Sequence, residues 1–242
     1  MDKKILITGG AQRIGKELVN HFHNVGWEVI FQYRSSSDSA NKLCDELNKK
    51  RENSCEAIQC DFDDEVSFNE FCNEINNNAS NLCAIINNAS TFYPKKITDV
   101  EINDWNMLMS SNLKTPIFLI SALAERLMKN RGHIINIADI YAEIGMSGYS
   151  VYAAAKAGLY NLTKSLAKEL APNVLINSIS PGSILWDINE PSEEKKKKIL
   201  SSIPMNRLGC EKDIVMLADY LINKNTYMTG RNISVDGGKS LG

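Results

Sequence analysis

The feature that most constrains the fold is the alternation of short β-branched runs with longer segments whose apolar residues recur at helical spacing. That alternation is typical of parallel strands joined by crossover helices, which cover both faces of the sheet. Because such crossovers are right-handed, we predict one doubly wound α/β sheet with seven parallel strands. The predicted strands are Lys4 to Thr8, Glu28 to Tyr33, Glu56 to Cys60, Cys83 to Asn87, His133 to Ala138, Val174 to Ile179 and Asn232 to Val235.

The whole chain, residues 1–242, is predicted to be a single domain, because no Pro/Gly/Ser-rich linker or internal repeat divides it. Its 27 basic and 29 acidic residues lack the one-sided charge that favours nucleic-acid or membrane binding, so a small-molecule partner is expected. The first apolar run, Ile5 to Ile7, is too short for a signal peptide or a membrane span, so a cytoplasmic location is expected. The six cysteines have no zinc-like spacing, which predicts free thiols and no metal site.

A glycine-rich turn, Thr8 to Gly15, follows the first predicted strand and opens directly into a helix. Gly9 permits the tight turn, Gly15 permits a close approach of helix to strand, and the helix N-terminus attracts an anion. The usual occupant is the pyrophosphate of a dinucleotide, as in a Rossmann domain, so this turn is predicted to bind a cofactor. A turn with only a structural role is the alternative. The predicted contacts are Gly9, Arg13, Ile14 and Gly15.

The end of the second strand, Tyr33-Arg34-Ser35, indicates which cofactor is bound. An acidic residue there would accept hydrogen bonds from a ribose 2′-hydroxyl, whereas the Arg34 guanidinium and the Ser35 hydroxyl suit a 2′-phosphate. We therefore predict NADPH rather than NADH, the alternative being that Arg34 only lies in solvent. Asp61 follows the third strand, where it could accept from the adenine amino group, and Phe62 is grouped with it.

Tyr152 and Lys156 lie four residues apart in a predicted helix, so they share one helix face. A tyrosine with an ordinary pKa of about 10 exchanges protons near neutrality only if positive charge stabilises its phenolate. Lys156 supplies that charge and can also hold the nicotinamide ribose hydroxyls. A Tyr-x-x-x-Lys spacing alone is common on exposed helices, so the surrounding motifs must indicate whether this pair is catalytic.

That context is a set of motifs in a fixed order. The glycine-rich turn Thr8 to Gly15 is followed by Asn87 to Ala89, then Asn112, then the Tyr–Lys pair, then Pro181-Gly182 and the tail Thr229 to Gly238. Over nearly the whole chain this order resembles the short-chain dehydrogenase/reductase family.

The resemblance implies a role for each matching residue. Tyr152 would be the acid/base, Lys156 its activator and ribose ligand, and Asn112 a helix residue that holds a water in the proton relay. The family resemblance also implies a homotetramer with interfaces on the helices that follow the fourth and fifth strands. Further cofactor contacts implied by the resemblance are Asn88, Ala89, Ser90, Pro181, Gly182 and Ser183.

Three positions depart from the usual family pattern: Arg13 and Ser90 replace small residues, and Asp139, thirteen residues before Tyr152, replaces a serine. Together with the stretch Asn87 to Pro94 they resemble the pteridine reductase branch. The predicted reaction is therefore NADPH-dependent reduction of a dihydropterin or dihydrofolate to the tetrahydro form.

This chemistry gives the substrate residues their expected roles. Phe92 would stack on the flat pterin, Arg13 would bridge the cofactor phosphates and the polar pterin edge, and Asp139 would help Tyr152 to protonate a ring nitrogen. The alternatives are that Phe92 anchors a loop, that Asp139 caps a turn and that Arg13 serves only the cofactor. The predicted substrate contacts are Arg13, Ser90, Phe92, Asp139, Tyr152 and Trp186.

Trp186 lies in a predicted lid at about residues 183–203, where it is either a pocket residue or a packing anchor. Two other functions remain open. One is a short-chain reductase acting on a carbonyl, such as a 3-oxoacyl thioester or a sugar-like ketone, and Asp139 argues against it. The other is an NADPH-binding sensor without catalysis, and the intact Asn112, Tyr152 and Lys156 argue against that.

Overall fold

The computed structural model describes residues 3–185 and 192–241, so Trp186 and part of the predicted lid lie outside the described residues. Its strands form one parallel seven-stranded sheet in the order β3-β2-β1-β4-β5-β6-β7. This order confirms the predicted fold class, and each predicted strand overlaps an observed one. The strands are β1 Lys4–Ile7, β2 Glu28–Tyr33, β3 Cys55–Gln59, β4 Leu82–Asn87, β5 His133–Ile137, β6 Leu175–Pro181 and β7 Asn232–Val235.

Helices cover both faces of the sheet. Leu18 of α1, Leu43 of α2 and Ile214 of α9 belong to one apolar cluster, and helices α3, α5 and α7 contribute to a second cluster on the other face. Among the described residues, the α-helices are α1 Arg13–Asn24, α2 Ser37–Lys50, α3 Glu65–Asn78, α4 Ile102–Met109, α5 Thr115–Lys129, α6 Tyr141–Ile144, α7 Ser150–Glu169, α8 Glu193–Ser201 and α9 Glu211–Asp219.

The first strand shows why the sheet is buried on both faces. Ile5 and Ile7 pack into one apolar cluster and Leu6 into the other, and all three side chains are fully buried. Alternate residues of a strand point to opposite faces, so a strand between two helical layers must be apolar throughout. This is the physical reason that continuous β-branched runs predicted the central strands.

One continuous helical stretch, Ile102–Lys129, is long and apolar enough to cross a membrane by length and composition alone, and 44% of its most apolar window is buried inside the fold. Leu119 and Leu123 of this stretch are fully buried in the core. A core helix has the same length and composition, so this stretch is accounted for by packing against the sheet.

Candidate active site

The candidate site lies at the carboxyl ends of the central strands. The strand order reverses between β1 and β4, and ligands of doubly wound sheets bind at such a switch point. The segments that follow β1, β4, β5 and β6 all carry predicted site residues. The sheet therefore brings together motifs that are far apart in the sequence.

The glycine-rich turn after β1 is tight. Gly9 has φ +65° and donates its N–H to Gln32 Oε1 at 3.0 Å. A Cβ on Gly15 would lie 2.0 Å from the Gly9 carbonyl oxygen, so only glycine fits there. The predicted roles of both glycines in shaping this turn match the geometry, and no bulkier residue would leave the turn intact.

The N-terminus of α1 suits an anion. Gln12 precedes the helix, and its amide donates to Ser36 Oγ at 3.0 Å; within the described chain it does not cap the first turn of α1. Arg13 is exposed and has φ +50°, while Ile14 is half-buried against the core. The first N–H groups of a helix have no partner within the helix itself, so this first turn, with Arg13 beside it, can bind a phosphate.

Gly15→Ala is expected to disrupt this turn. The added methyl group must displace the backbone of the turn, which we expect to lower the free energy of unfolding by about 1–3 kcal/mol and to weaken dinucleotide binding strongly. Thermal unfolding and NADPH fluorescence titration measure the two effects. The matched control is Gly158→Ala, because the nearest atoms to a Cβ there belong to the flexible side chain of Leu113 rather than to backbone of the turn. Wild-type NADPH affinity in Gly15→Ala would contradict the assignment of this turn.

Asn88 fastens the turn to the loop after β4. Its side-chain amide donates to the carbonyl oxygens of Thr8 at 2.9 Å and Gly9 at 3.1 Å. In return, Thr8 Oγ1 accepts from the N–H groups of Asn88 at 2.9 Å and Ala89 at 3.0 Å. Asn88 therefore holds the backbone of the turn, and the contacts of Asn88 and Ala89 with a cofactor stay a prediction.

The end of β2 presents Arg34 to solvent. The guanidinium is about half exposed, and its Nη1 lies 3.9 Å from Asp63 Oδ2, too far for a strong exposed ion pair. The Gln59 amide holds the Arg34 carbonyl at 3.0 Å. Ser35 is exposed just before α2, and Tyr33 is buried, so Arg34 and Ser35 are the polar groups available to a ligand here.

The side chains of Asp61 and Phe62 differ in how accessible they are to a cofactor. Asp61 is exposed after β3, and its Oδ1 accepts the Asp63 N–H at 3.1 Å, which leaves the other carboxylate oxygen for a ligand. The Phe62 ring is buried and packs edge-on against Phe68 and Phe71. The Phe62 side chain thus serves the core, and a contact from this residue to a cofactor would have to come from its backbone.

The predicted catalytic residues meet at the ends of β5 and α7. Tyr152 donates its hydroxyl to Asp139 Oδ2 at 2.7 Å, and Asp139 Oδ1 accepts the Tyr141 N–H at 2.9 Å. Lys156 donates from Nζ to the Ile137 carbonyl at 2.8 Å, and Nζ lies 5.7 Å from the centroid of the Tyr152 ring. Asp139 therefore caps a turn, as the alternative reading expected, and also pairs with the tyrosine.

Burial governs the proton affinities of this cluster. Burial raises the pKa of Tyr152 well above its usual value, the charge and hydrogen bond of Asp139 raise it further, and the Ser90 hydroxyl lowers it. Burial also raises the pKa of Asp139, against the opposing effects of the Tyr141 N–H, Tyr152 and Lys156. Burial lowers the pKa of Lys156 to about 8. The ammonium is thus mostly charged at neutral pH, and a carboxyl with a raised pKa can act as an acid.

Asn112 lies in a π-helical turn, Ser110–Lys114, between α4 and α5. Its amide donates to the carbonyl oxygens of Thr91 at 2.8 Å and Leu108 at 2.9 Å, and its Oδ1 accepts from Ser90 Oγ at 2.7 Å. The side chain thus orients Ser90. A relay water at Asn112 would have to use a backbone carbonyl, which a π-helical turn releases from regular helical bonding.

The Phe92 ring packs against the rings of Tyr152 and Tyr149. It is 45% exposed, packs edge-on against Tyr152 at 4.8 Å between ring centroids, and stacks on Tyr149 at 4.6 Å. The Lys95 N–H donates to the Gly148 carbonyl at 2.7 Å, which ties together the loops of Phe92 and Tyr149. Tyr149 was not predicted as a site residue, although its position three residues before Tyr152 was a usable signal.

The end of β6 is fixed by the C-terminal part of the chain. The Gly182 N–H donates to the Val235 carbonyl at 3.0 Å, which places the end of β6 beside β7. Ser183 Oγ accepts from Lys239 Nζ at 2.9 Å. Lys239 was not predicted as a site residue. It reaches the predicted nicotinamide end of the crevice from the last turn of the chain.

Comparison with known proteins agrees with this geometry. A family model described as Enoyl-(Acyl carrier protein) reductase matches residues 9–240. The chain is 35% identical over 243 residues to the dihydromonapterin reductase of Enterobacter sp. (strain 638), covering 99% of this chain and 97% of that relative. It is 34% identical over 241 residues to the dihydromonapterin reductase of Shigella boydii serotype 4 (strain Sb227), covering 98% and 96%. It is also 35% identical over 245 residues to the dihydromonapterin reductase of Escherichia coli (strain SMS-3-5 / SECEC), covering 98% and 96%.

These matches span the same motifs that the fold brings together: the glycine-rich turn, the loop after β4 and the Tyr152–Lys156 helix. They extend over almost all of the sheet and both helical layers. The chain is an oxidoreductase and belongs to the short-chain dehydrogenase/reductase family, in its pteridine reductase-like branch.

Proposed function

We propose that the protein uses NADPH to reduce the ring of a dihydropterin to the tetrahydro form. The observation that carries this proposal is the partly buried 2.7 Å contact between Asp139 and the Tyr152 hydroxyl, with the half-exposed Phe92 ring edge-on to Tyr152. An acid pair below an aromatic face suits a flat heterocycle whose ring nitrogen needs a proton. The name of the relatives, dihydromonapterin reductase, supports the same substrate class.

The residues present fit a nicotinamide dinucleotide. Gly15 lets the start of α1 pack directly against the Gly9 carbonyl, and the N–H groups of that first helical turn suit a phosphate. Lys156 is fully buried and uses one of its three N–H donors on the Ile137 carbonyl, so the others can hold ribose hydroxyls. When bound, NADPH supplies the hydride.

Arg34→Ala is expected to weaken NADPH binding about 10- to 100-fold, because a hydrogen bond to a charged group contributes about 1.5–3 kcal/mol. NADH lacks the 2′-phosphate, so its affinity should change little. Fluorescence titration with both cofactors measures the difference. Lys42→Ala, which removes an exposed charge from α2, is the matched control. Equal losses for NADPH and NADH would contradict the role of Arg34.

In the proposed mechanism, Tyr152 gives its hydroxyl proton to a ring nitrogen as the adjacent ring carbon gains the hydride. A protonated Asp139 at 2.7 Å can return a proton to the phenolate, and the Lys156 ammonium, 5.7 Å from the Tyr152 ring centroid, stabilises the phenolate meanwhile. One hydride and one proton enter the ring, so the dihydropterin would become the tetrahydropterin.

The substrate side of the site has two further proposed contacts. Arg13 is exposed beside the α1 N-terminus, where a guanidinium could reach both the cofactor phosphates and the polar edge of a pterin. Ser90 donates its hydroxyl to Asn112 Oδ1 at 2.7 Å, and the same residue lowers the pKa of Tyr152, which puts it next to the tyrosine. Dihydrofolate carries the same ring and is included in the proposal.

Loss of NADPH absorbance tests the proposed function directly. The purified protein is mixed with dihydromonapterin, dihydrobiopterin, dihydrofolate, a 3-oxoacyl thioester, a sugar-like ketone and a quinone. Turnover confined to pterins and folate is the expected result. Turnover of the thioester or ketone with inert pterins would instead favour the carbonyl reductase alternative. No turnover together with tight NADPH binding would favour the sensor.

We also propose that the protein is a cytoplasmic homotetramer, with neither nucleic acid nor membrane as a partner. Exposed apolar side chains on the α4–α5 stretch support a contact between copies: Trp105 is 48% exposed and Phe118 is 53% exposed. A lid at about residues 183–203 remains part of the proposal. Light scattering of the purified protein would give the oligomeric state.

A further inference from the structure

The last turn of the chain is held rigidly next to the active site. The Asp236 carboxylate accepts the Gly238 N–H on Oδ1 at 3.0 Å and the Ser240 N–H on Oδ2 at 2.7 Å. The Met205 N–H donates to the Gly237 carbonyl at 3.1 Å, which fastens the same turn to the segment after α8. These bonds fix the backbone on both sides of Lys239.

Lys239 extends from this turn into the crevice. Its ammonium donates to Ser183 Oγ at 2.9 Å and lies 5.6 Å from the centroid of the Tyr141 ring. The N–H of that same Tyr141 binds Asp139 Oδ1 at 2.9 Å. The lysine is half-buried, so solvent screens its charge only in part. A second cation, besides Lys156, thus lies beside the residue whose N–H binds the Asp139 carboxyl group, and its charge acts on that group.

The groups that act electrostatically on Asp139 come from separate elements. Helix α7 contributes Tyr152 and Lys156, α6 contributes the Tyr141 N–H, and the last turn contributes Lys239. Burial raises the pKa of Asp139, and Lys239 is one of the groups that lower it. A nearby positive charge favours the ionised form of a carboxyl group.

We propose that Lys239, anchored on Ser183, is a positioning residue that sets how readily the Asp139–Tyr152 pair holds its proton. Its meaning for catalysis rests on the proposed function, but its effect on Asp139 follows from the arrangement of charges alone. The lysine acts through Asp139 rather than on the substrate. It opposes the effect of burial, so the pKa of Asp139 lies lower than burial alone would place it.

The test is a titration of the Asp139 carboxyl group by ¹³C NMR in the protein without cofactor. A difference spectrum against Asp139→Asn assigns the signal. Lys239→Met removes the charge and keeps most of the length of the side chain, so the Asp139 pKa should rise by about half to one pH unit. Lys239→Arg should titrate like the wild type. Lys49→Met, at the exposed end of α2, is the control for a lost surface charge.

An unchanged Asp139 titration in Lys239→Met, with unfolding temperatures equal to wild type, would overturn the proposal. Because this measurement needs no turnover, it stands even if the protein fails to reduce pterins. If the protein is an active pterin reductase, the alkaline limb of the kcat–pH profile of Lys239→Met should shift to higher pH by the same amount. The reason is that the Asp139–Tyr152 pair must be protonated to act. A changed KM with an unmoved limb would place Lys239 in substrate binding and contradict the inference.

Discussion

Tyr152→Phe is expected to lower kcat for a dihydropterin about 10³-fold, the typical contribution of a positioned general acid, while NADPH affinity stays near the wild-type value. Phenylalanine preserves the ring that packs against Phe92 and loses only the hydroxyl that contacts Asp139. The proton then has no donor at the ring nitrogen. The cofactor contacts proposed for Lys156 do not depend on this hydroxyl, because Lys156 is anchored on the Ile137 carbonyl.

Steady-state rates and NADPH titration of the same preparation separate these two effects. Tyr160→Phe is the control, because Tyr160 lies further along α7 and its ring contacts Lys164 rather than the catalytic cluster. A Tyr152→Phe enzyme that kept about a tenth of the wild-type rate or more would show that the acid is another group.

Asp139→Asn is expected to lower pterin turnover about 10²-fold or more, the lower end of general acid catalysis. Asparagine keeps the shape and the contact to the Tyr141 N–H but cannot hold an acidic proton. Asp139→Ser, which restores the residue usual in the family, should be equally poor with pterins, because a hydroxyl is too weak an acid to protonate a ring nitrogen. Both variants should bind NADPH as the wild type does.

The measurement is kcat for a dihydropterin over a range of pH, with unfolding temperature as a check of folding. Asp219→Asn is the control, because Asp219 pairs with His21 at 3.0 Å on the α1–α9 side of the sheet. Near wild-type pterin turnover in Asp139→Ser would mean that Asp139 only caps its turn. That result would remove the main argument for a pterin over a carbonyl substrate.

The fold was predictable because the central strands are buried on both faces. Ile5 to Ile7 must be apolar at every position, and so the strand is visible without an alignment. Boundaries were less certain, since the pattern cannot locate the last paired residue. Thus β6 continues to Pro181, beyond its predicted end, because its final residues pair with β7. That pairing is a long-range contact which local sequence does not encode.

Part of the site was predictable for a chemical reason. Tyr152, Lys156 and Asp139 are polar residues among apolar or small neighbours. Tyr152 and Lys156 are one helical turn apart, and the structure brings all three side chains together. Lys239 carried no such local signal, because it is separated from Ser183 by 56 residues. Phe62 was assigned to the cofactor, but its ring packs in the core, which only tertiary contacts reveal.

The central claim is that this site reduces a pterin ring rather than a carbonyl group. The most direct test compares kcat/KM of the wild-type protein with NADPH for dihydromonapterin and for a 3-oxoacyl thioester. We predict a preference for the pterin of at least about 10⁴-fold, because a site built to hydrogen-bond one substrate strongly rejects another that leaves its polar groups unpaired. Equal values, or a preference for the thioester, would contradict the account.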